Sequence, residues 1–154
     1  MIKEGLEIKE IEAEETYSIR HQVMWPNKPL EFVILDNDDI AKHFGLFKGY
    51  TLVSVISLFT DGKRAQFRKF ATLSSFHGNG YGSLLLKHLL ASISQTNVTT
   101  LWCNARKDKT SFYERFGLTQ TSNRFVKSGV SYVIMEMIIR SKSHLINSDG
   151  SFLD

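Results

Sequence analysis

The stretch "KFATLSSFHGNGYGSLLLKHLL", Lys69 to Leu90, constrains this chain more than any other. A strand-like run gives way to Gly78, Gly80 and Gly82, alternating with Asn79 and Tyr81, and then to leucines at helical spacing. A glycine turn leading into a helix aims several backbone N–H groups at one spot, beside the positive end of the helix dipole. Such a spot holds a phosphate without any basic side chain. Glycine matters there because a Cβ would keep the anion off the backbone, and because such turns call for positive φ. Ser83 adds a hydroxyl in the first turn of the helix. The plainer reading, a turn that only joins strand to helix, stands beside this one.

Two common phosphate loops fit poorly. A Walker A loop needs Gly-Lys-Ser/Thr after its spacer, whereas the chain continues Gly82-Ser83-Leu84. A dinucleotide fingerprint could take Ser83 as its third small residue after Gly78 and Gly80, but it also wants an acid roughly 20 residues on. No Asp or Glu occurs between Gly82 and Asp108, and the repeated βαβ units of that fold are missing.

The rest of the chain supplies the frame. Leu6 to Ile11 alternates as a half-buried strand, and Glu14 to Trp25 follows as a helix with an acidic first turn, stopping before Pro26. "PNKPLEFVILDNDD" is a loop with room for one helical turn. His43 to Phe47 and Thr51 to Phe59 form a hairpin around Lys48-Gly49-Tyr50, and "TDGK" turns the chain into a strand over Ala65 to Leu73. Gly80 to Gln95 is a helix with Leu85, Leu86, Leu89, Leu90 and Ile93 on one side and Lys87 and His88 facing solvent. Thr99 to Ala105 is a strand, Lys109 to Phe116 a short helix closed by Gly117, and two strands follow near Leu118 to Thr121 and Val130 to Arg140. The order β-α-β-β-β-α-β-α-β-β predicts an α+β fold. Its central sheet is mixed and mostly antiparallel, with a parallel segment at each crossover and helices on both faces, a three-layer α/β/α sandwich. With 154 residues, one domain over 1–140 and a polar extension over 141–154 are expected.

Composition closes several routes. A net charge of +3 with scattered Lys and Arg lacks the dense basic stripe of a nucleic-acid binder, while suiting a small polyanionic ligand. Cys103 is the only cysteine, so neither an intrachain disulfide nor a cysteine-cluster metal site is available. No apolar run approaches the ~20 residues that span a bilayer, and the polar, acidic start is unlike a signal peptide. A cytoplasmic protein without membrane partners is expected.

Together, "FATLSSFHGNGYGSLLLKHLL" and the later "LWCNARKDKTSFYERFGL" resemble two motifs of the GNAT N-acetyltransferase superfamily. The first matches the family's Arg/Gln-x-x-Gly-x-Gly/Ala loop at His77, Gly80 and Gly82. The second matches its next strand and tyrosine-bearing helix, and the element order agrees from Leu6 to Arg140. The resemblance implies acetyl-CoA as co-substrate, with its pyrophosphate on the backbone of Gly78, Asn79, Gly80, Tyr81, Gly82 and Ser83. It implies that the pantetheine arm pairs like an added strand with Phe70, Ala71 and Thr72, and that a backbone N–H there polarises the thioester carbonyl. His77 stands where Arg or Gln is usual and can still donate a hydrogen bond; Ser74-Ser75 replaces a common Pro-Glu pair. Asn104 is a further cofactor-contact candidate, although the family's asparagine aligns nearer Arg106.

Transfer to an amine needs loss of a proton from the nucleophile, stabilisation of an oxyanion and departure of a thiolate. The resemblance makes Tyr113 the group near the sulfur that assists the thiolate; its plainer reading is a tyrosine packing a short helix. Leu101 to Ala105 lacks the glutamate that some relatives use as base, so no base is assigned. Glu31 lies where relatives line the acceptor site but reads first as a surface carboxylate. His21, His43 and Arg68 read first as structural or surface residues and second as acceptor-site groups. Asp36, Asp38 and Asp39 read as a solvated acidic loop, and Cys103 as a core residue rather than a nucleophile. The implied activity is direct acetyl transfer to a primary amine of a small molecule or peptide, with homodimers common among relatives. The alternative is a CoA-binding sensor on the same fold without turnover.

Overall fold

The computed structural model describes residues 5–140, so the polar extension over 141–154 lies outside the described residues. Seven strands form one mixed sheet in the order β1-β2-β3-β4-β5-β7-β6, accompanied by three α-helices, an α+β sandwich. The strands are β1 (Leu6–Ile11), β2 (Lys42–Lys48), β3 (Thr51–Asp61), β4 (Arg64–Thr72), β5 (Thr100–Arg106), β6 (Thr119–Lys127) and β7 (Val130–Ile138). The helices are α1 (Ala13–Met24), α2 (Tyr81–Ile93) and α3 (Thr110–Glu114).

Contacts group the chain into two compact units. The first joins the residues up to Phe59 to Phe67–Ser92, and therefore holds β1, β2, most of β3, the second half of β4, α1 and nearly all of α2. Glu12 and Glu15 form a capping box that closes the N-terminus of α1, where Glu14 and Glu15 also face the positive dipole end. Ile11, Ile19, Val55 and Ala71 form a buried cluster, with Val23, Met24, Phe47, Leu52 and Leu73 packed on it. Leu85, Leu86 and Leu89 of α2 are fully buried, each contributing about 1.5–3 kcal/mol by removal from water, while Lys87 and His88 are exposed as their spacing predicts.

One expectation about connectivity is corrected. The crossover through α1 joins β1 and β2 as an antiparallel pair, Leu6 opposite Lys48 and Ile11 opposite His43. The long segment after α1 lets the chain turn back in the opposite sense. Only the α2 crossover yields a parallel pair among the ladders described, β4 with β5.

In the second unit, Thr60–Gln66 and the residues from Ile93 onward, β5 alternates strictly, with Leu101, Cys103 and Ala105 buried. It pairs antiparallel with β7, Cys103 opposite Met135, and in parallel with β4 through Arg64↔Thr100, Ala65↔Leu101 and Gln66↔Trp102. β4 then continues to Thr72 and β5 to Arg106. Strand β6 is longer than expected: an irregularity interrupts its register with β7 between Gln120 and Arg124, and pairing resumes from Arg124 to Lys127. Gly117, at φ +100, stops the turn after α3.

Candidate active site

The glycine stretch forms a short exposed loop on the first unit. A 3-10 turn over Ser74–Phe76 follows β4, and α2 begins at Tyr81. Gly78 and Gly80 take φ of +82 and +76, and nothing lies within 4 Å of where a Cβ would stand at either. Open space and left-handed backbone are the conditions under which successive backbone amides can accept an anion. The first helical bond, Leu84 N–H to the Gly80 carbonyl at 3.1 Å, makes Gly80 the cap residue. The N–H groups of Tyr81, Gly82 and Ser83 therefore lie in the turn that has no intrahelical acceptors. No acid occupies that first turn to compete for them. The observed backbone fits a pyrophosphate.

Several expected contacts take a narrower form. The His77 Nε2 lies 2.7 Å from the Thr72 carbonyl, which can only accept, so that nitrogen carries a proton and donates. A neutral His77 ring then offers Nδ1 as an acceptor, and only the imidazolium donates from that side to a phosphate. The ring's first role is to tie the loop to the end of β4. Asn79 turns its amide back onto the carbonyls of Phe76 and His77, at 3.0 and 3.3 Å, so its side chain shapes the loop. Tyr81 is buried, 6.3 Å from the Phe76 ring, which leaves its backbone as the part that faces the loop. Gly82 differs from its neighbours: its backbone is not left-handed, and a Cβ there would stand in ordinary contact, 3.4 Å from the Phe70 ring and 3.6 Å from the Thr72 hydroxyl. Ala71 is buried and Phe70 and Thr72 are half-buried, with the Ala71 carbonyl accepting from the Ser54 hydroxyl at 3.2 Å.

Two features were not anticipated. Lys69 has φ +55 inside β4, a left-handed backbone that costs a non-glycine residue about 1–2 kcal/mol. It interrupts the regular pleat between Arg68 and Phe70, and no glycine or asparagine marks the place. The second is a buried polar cluster around Arg20 of α1, which is 0% exposed. Its guanidinium donates to both oxygens of Asp38, at 2.7 and 2.9 Å, to the Val33 carbonyl at 2.9 Å and to the Ser57 hydroxyl at 2.9 Å. Ser57 in turn meets His43 Nδ1 at 2.6 Å, while His43 Nε2 donates to the Asp38 carbonyl at 2.8 Å. Burial alone would raise the Asp38 pKa, but the hydrogen bonds from Arg20 and the Leu35 N–H, with the charges of Arg20 and His43, carry it below 3.8.

These contacts revise the acceptor-side candidates. Asp38 is not part of a solvated acidic loop: it is buried and ion-paired, whereas Asp36 and Asp39 are exposed. His43 is a buried member of the same cluster, not merely a strand end. His21 donates to the Lys28 carbonyl at 2.7 Å and holds the segment after α1, and Glu31 is exposed on the helical turn Leu30–Val33. The clue to the cluster was present in the sequence, because Arg20 shares the buried stripe of α1 with Thr16 and Ile19.

In the second unit, Tyr113 of α3 is half-buried, with its ring 5.3 Å from that of Phe112. Burial first, and the Cys103 sulfur second, push its phenol well above 10, with Arg106 opposing. Cys103 itself is pushed up to about 12 by burial, so it stays a thiol and lacks the thiolate that a covalent route requires. Asn104 is exposed on β5, opposite Ile134.

The fold defined by these elements is that of a large class of solved structures. A crystal structure from Lactobacillus plantarum superimposes with a TM-score of 0.78 at 18% identity, covering 88% of this chain and 99% of that one. A GNAT family acetyltransferase from Elizabethkingia anophelis, solved with acetyl-CoA bound, superimposes with a TM-score of 0.69 at 15% identity, over 88% and 99% of the two chains. The model of the acetyltransferase (GNAT) domain matches residues 9–139, and the chain belongs to that family. Among curated proteins, the "uncharacterized N-acetyltransferase YitI" of Bacillus subtilis (strain 168) is 30% identical over 146 residues, 88% of this chain and 98% of that protein.

Proposed function

We propose that this chain binds acetyl-CoA and transfers its acetyl group directly to a primary amine. The observation that carries the reading is the start of α2: left-handed Gly78 and Gly80, open space above them, and a first turn of helix N–H groups with no acid nearby. On this reading the backbone from Gly78 to Ser83 holds the pyrophosphate, and Phe70, Ala71 and Thr72 present a strand edge to the pantetheine arm. Support for the second part comes from the β4–β5 ladder, which covers Arg64 to Gln66 only. Acetyl-CoA supplies an activated acyl carbon: the C–N bond to the acceptor forms as the C–S bond breaks. The acceptor's proton must leave as the bond forms; β5 carries no carboxylate to take it, and no base is assigned. Tyr113 keeps its proton and donates a hydrogen bond to the departing sulfur. Asn104 is carried as an additional cofactor contact on family grounds alone.

Isothermal titration with acetyl-CoA and CoA tests the binding half, and no heat from either ligand overturns it. Thiol release with a panel of amines tests the transfer half. Binding without release across the panel would instead favour a CoA-responsive sensor.

Gly80 offers a sharper check. Valine there must leave φ +76 or carry its strain, and either change distorts the amide cradle without filling any occupied space. Gly80→Val is expected to weaken acetyl-CoA at least tenfold by titration, with little loss of thermal stability. An unchanged dissociation constant would remove the pyrophosphate from this loop.

A further inference from the structure

Arg68 lies on β4 within the first unit, half-buried, its guanidinium 5.8 Å from the centre of the Phe59 ring. Among the described residues, no hydrogen bond or ion pair engages that guanidinium. The neighbouring acid is engaged elsewhere: both Asp38 oxygens accept from Arg20, and one also accepts from the Leu35 N–H at 2.8 Å. Asp38 thus pairs directly with Arg20 and acts on Arg68 only from a distance. Burial and the charge of Arg20 both work against the cation on Arg68, and Asp38 only partly offsets them. A half-buried guanidinium with donors to spare, beside an aromatic ring, can receive a planar anion: its fork matches the two oxygens of a carboxylate.

Its place along β4 indicates whose carboxylate. Resting on the acetyl-CoA reading above, the pyrophosphate sits beyond the end of β4 and the pantetheine runs back along Thr72, Ala71 and Phe70. The acyl end then points towards Arg68, two residues before Phe70, at about 3.3 Å per residue. The left-handed Lys69 separates the two positions, so the pleat is interrupted between the pantetheine segment and the arginine. We propose that Arg68 binds a carboxylate of the acceptor, which makes the acceptor an amino-acid-like molecule with a primary amine a few bonds from that carboxylate.

The test uses the full chain with acetyl-CoA and the common amino acids, each paired with its carboxamide. At least one free acid should be acetylated with kcat/KM tenfold or more above its amide. Arg68→Gln should lower that value about a hundredfold, mainly through KM, while the dissociation constant for acetyl-CoA stays within twofold. Arg68→Lys, which keeps the charge without the fork, should recover part of the loss. As a readout independent of turnover, the N-acetylated product acid should bind the wild-type protein by titration and fail to bind Arg68→Gln. Equal use of acid and amide, preference for amines without a carboxylate, or no transfer to any acid would overturn the carboxylate site. If acetyl-CoA binds in those cases, the donor reading stands; if acetyl-CoA itself does not bind, that reading falls first.

Discussion

Tyr113→Phe is expected to lower kcat by about a hundredfold while leaving the dissociation constant for acetyl-CoA within twofold. The phenol is raised well above 10, chiefly by burial, so it holds its proton throughout the range in which an amine acceptor is deprotonated. A raised pKa keeps the neutral form present to higher pH. The alkaline side of the wild-type profile should therefore carry no loss from Tyr113 up to about pH 10, and the variant should show the same shape at lower height. The same shift limits the chemistry. Full transfer from such a phenol to a thiolate of pKa near ~8.5 is uphill, so the role proposed for Tyr113 is donation of a hydrogen bond, with water completing the protonation. Unchanged kcat between pH 6 and 10 would leave Tyr113 as a packing residue. A matching loss of acetyl-CoA affinity would make it a binding residue instead.

Asp38→Ala should be the most damaging single change to stability. It leaves Arg20, fully buried, without its carboxylate, and breaking a buried pair from one side costs about 3–5 kcal/mol. For a chain of this size, that corresponds to a fall in Tm of about 10 °C. The loss should shrink in the double variant Arg20→Met with Asp38→Leu, since removing both charges leaves no uncompensated ion. The pH dependence has a definite sign. The folded pKa of Asp38 lies below its unfolded value of about 3.9, so its stabilisation is complete above that value. It disappears as pH falls through the lower, folded pKa. Melting curves of Asp38→Ala should accordingly converge on those of the wild type in acid. A Tm within 2 °C of wild type at neutral pH would show that solvent reaches the pair.

Much of the fold was legible because its signals are local. The leucine spacing of α2, the glycine turns at Gly49 and Gly62 and the alternation of β1 each depend on neighbours a few residues away. The sense of the β1–β2 pair was not, because a long loop erases the geometric memory of the preceding helix. The loop at Gly78 to Gly82 was read as a turn that calls for positive φ before a helix, and Gly78 and Gly80 take it, whereas Gly82 already lies in α2. The Arg20 cluster spans α1, the loop through Asp38, β2 and β3, and such long-range pairing leaves only the trace of an arginine on an apolar stripe. Lys69 left no trace at all, since nothing in its own chemistry favours the left-handed backbone that it adopts.

The bonds within the glycine loop bear on when its shape is acquired. His77 donates to the Thr72 carbonyl, Asn79 to the carbonyls of Phe76 and His77, and the Phe76 and His77 amides to Leu73 and Ser74. None of these bonds involves a ligand, so the entropy of arranging the loop is lost when the chain folds. On the function proposed above, an anion would meet a surface arranged by folding, and less of its binding energy would be consumed in ordering the receptor.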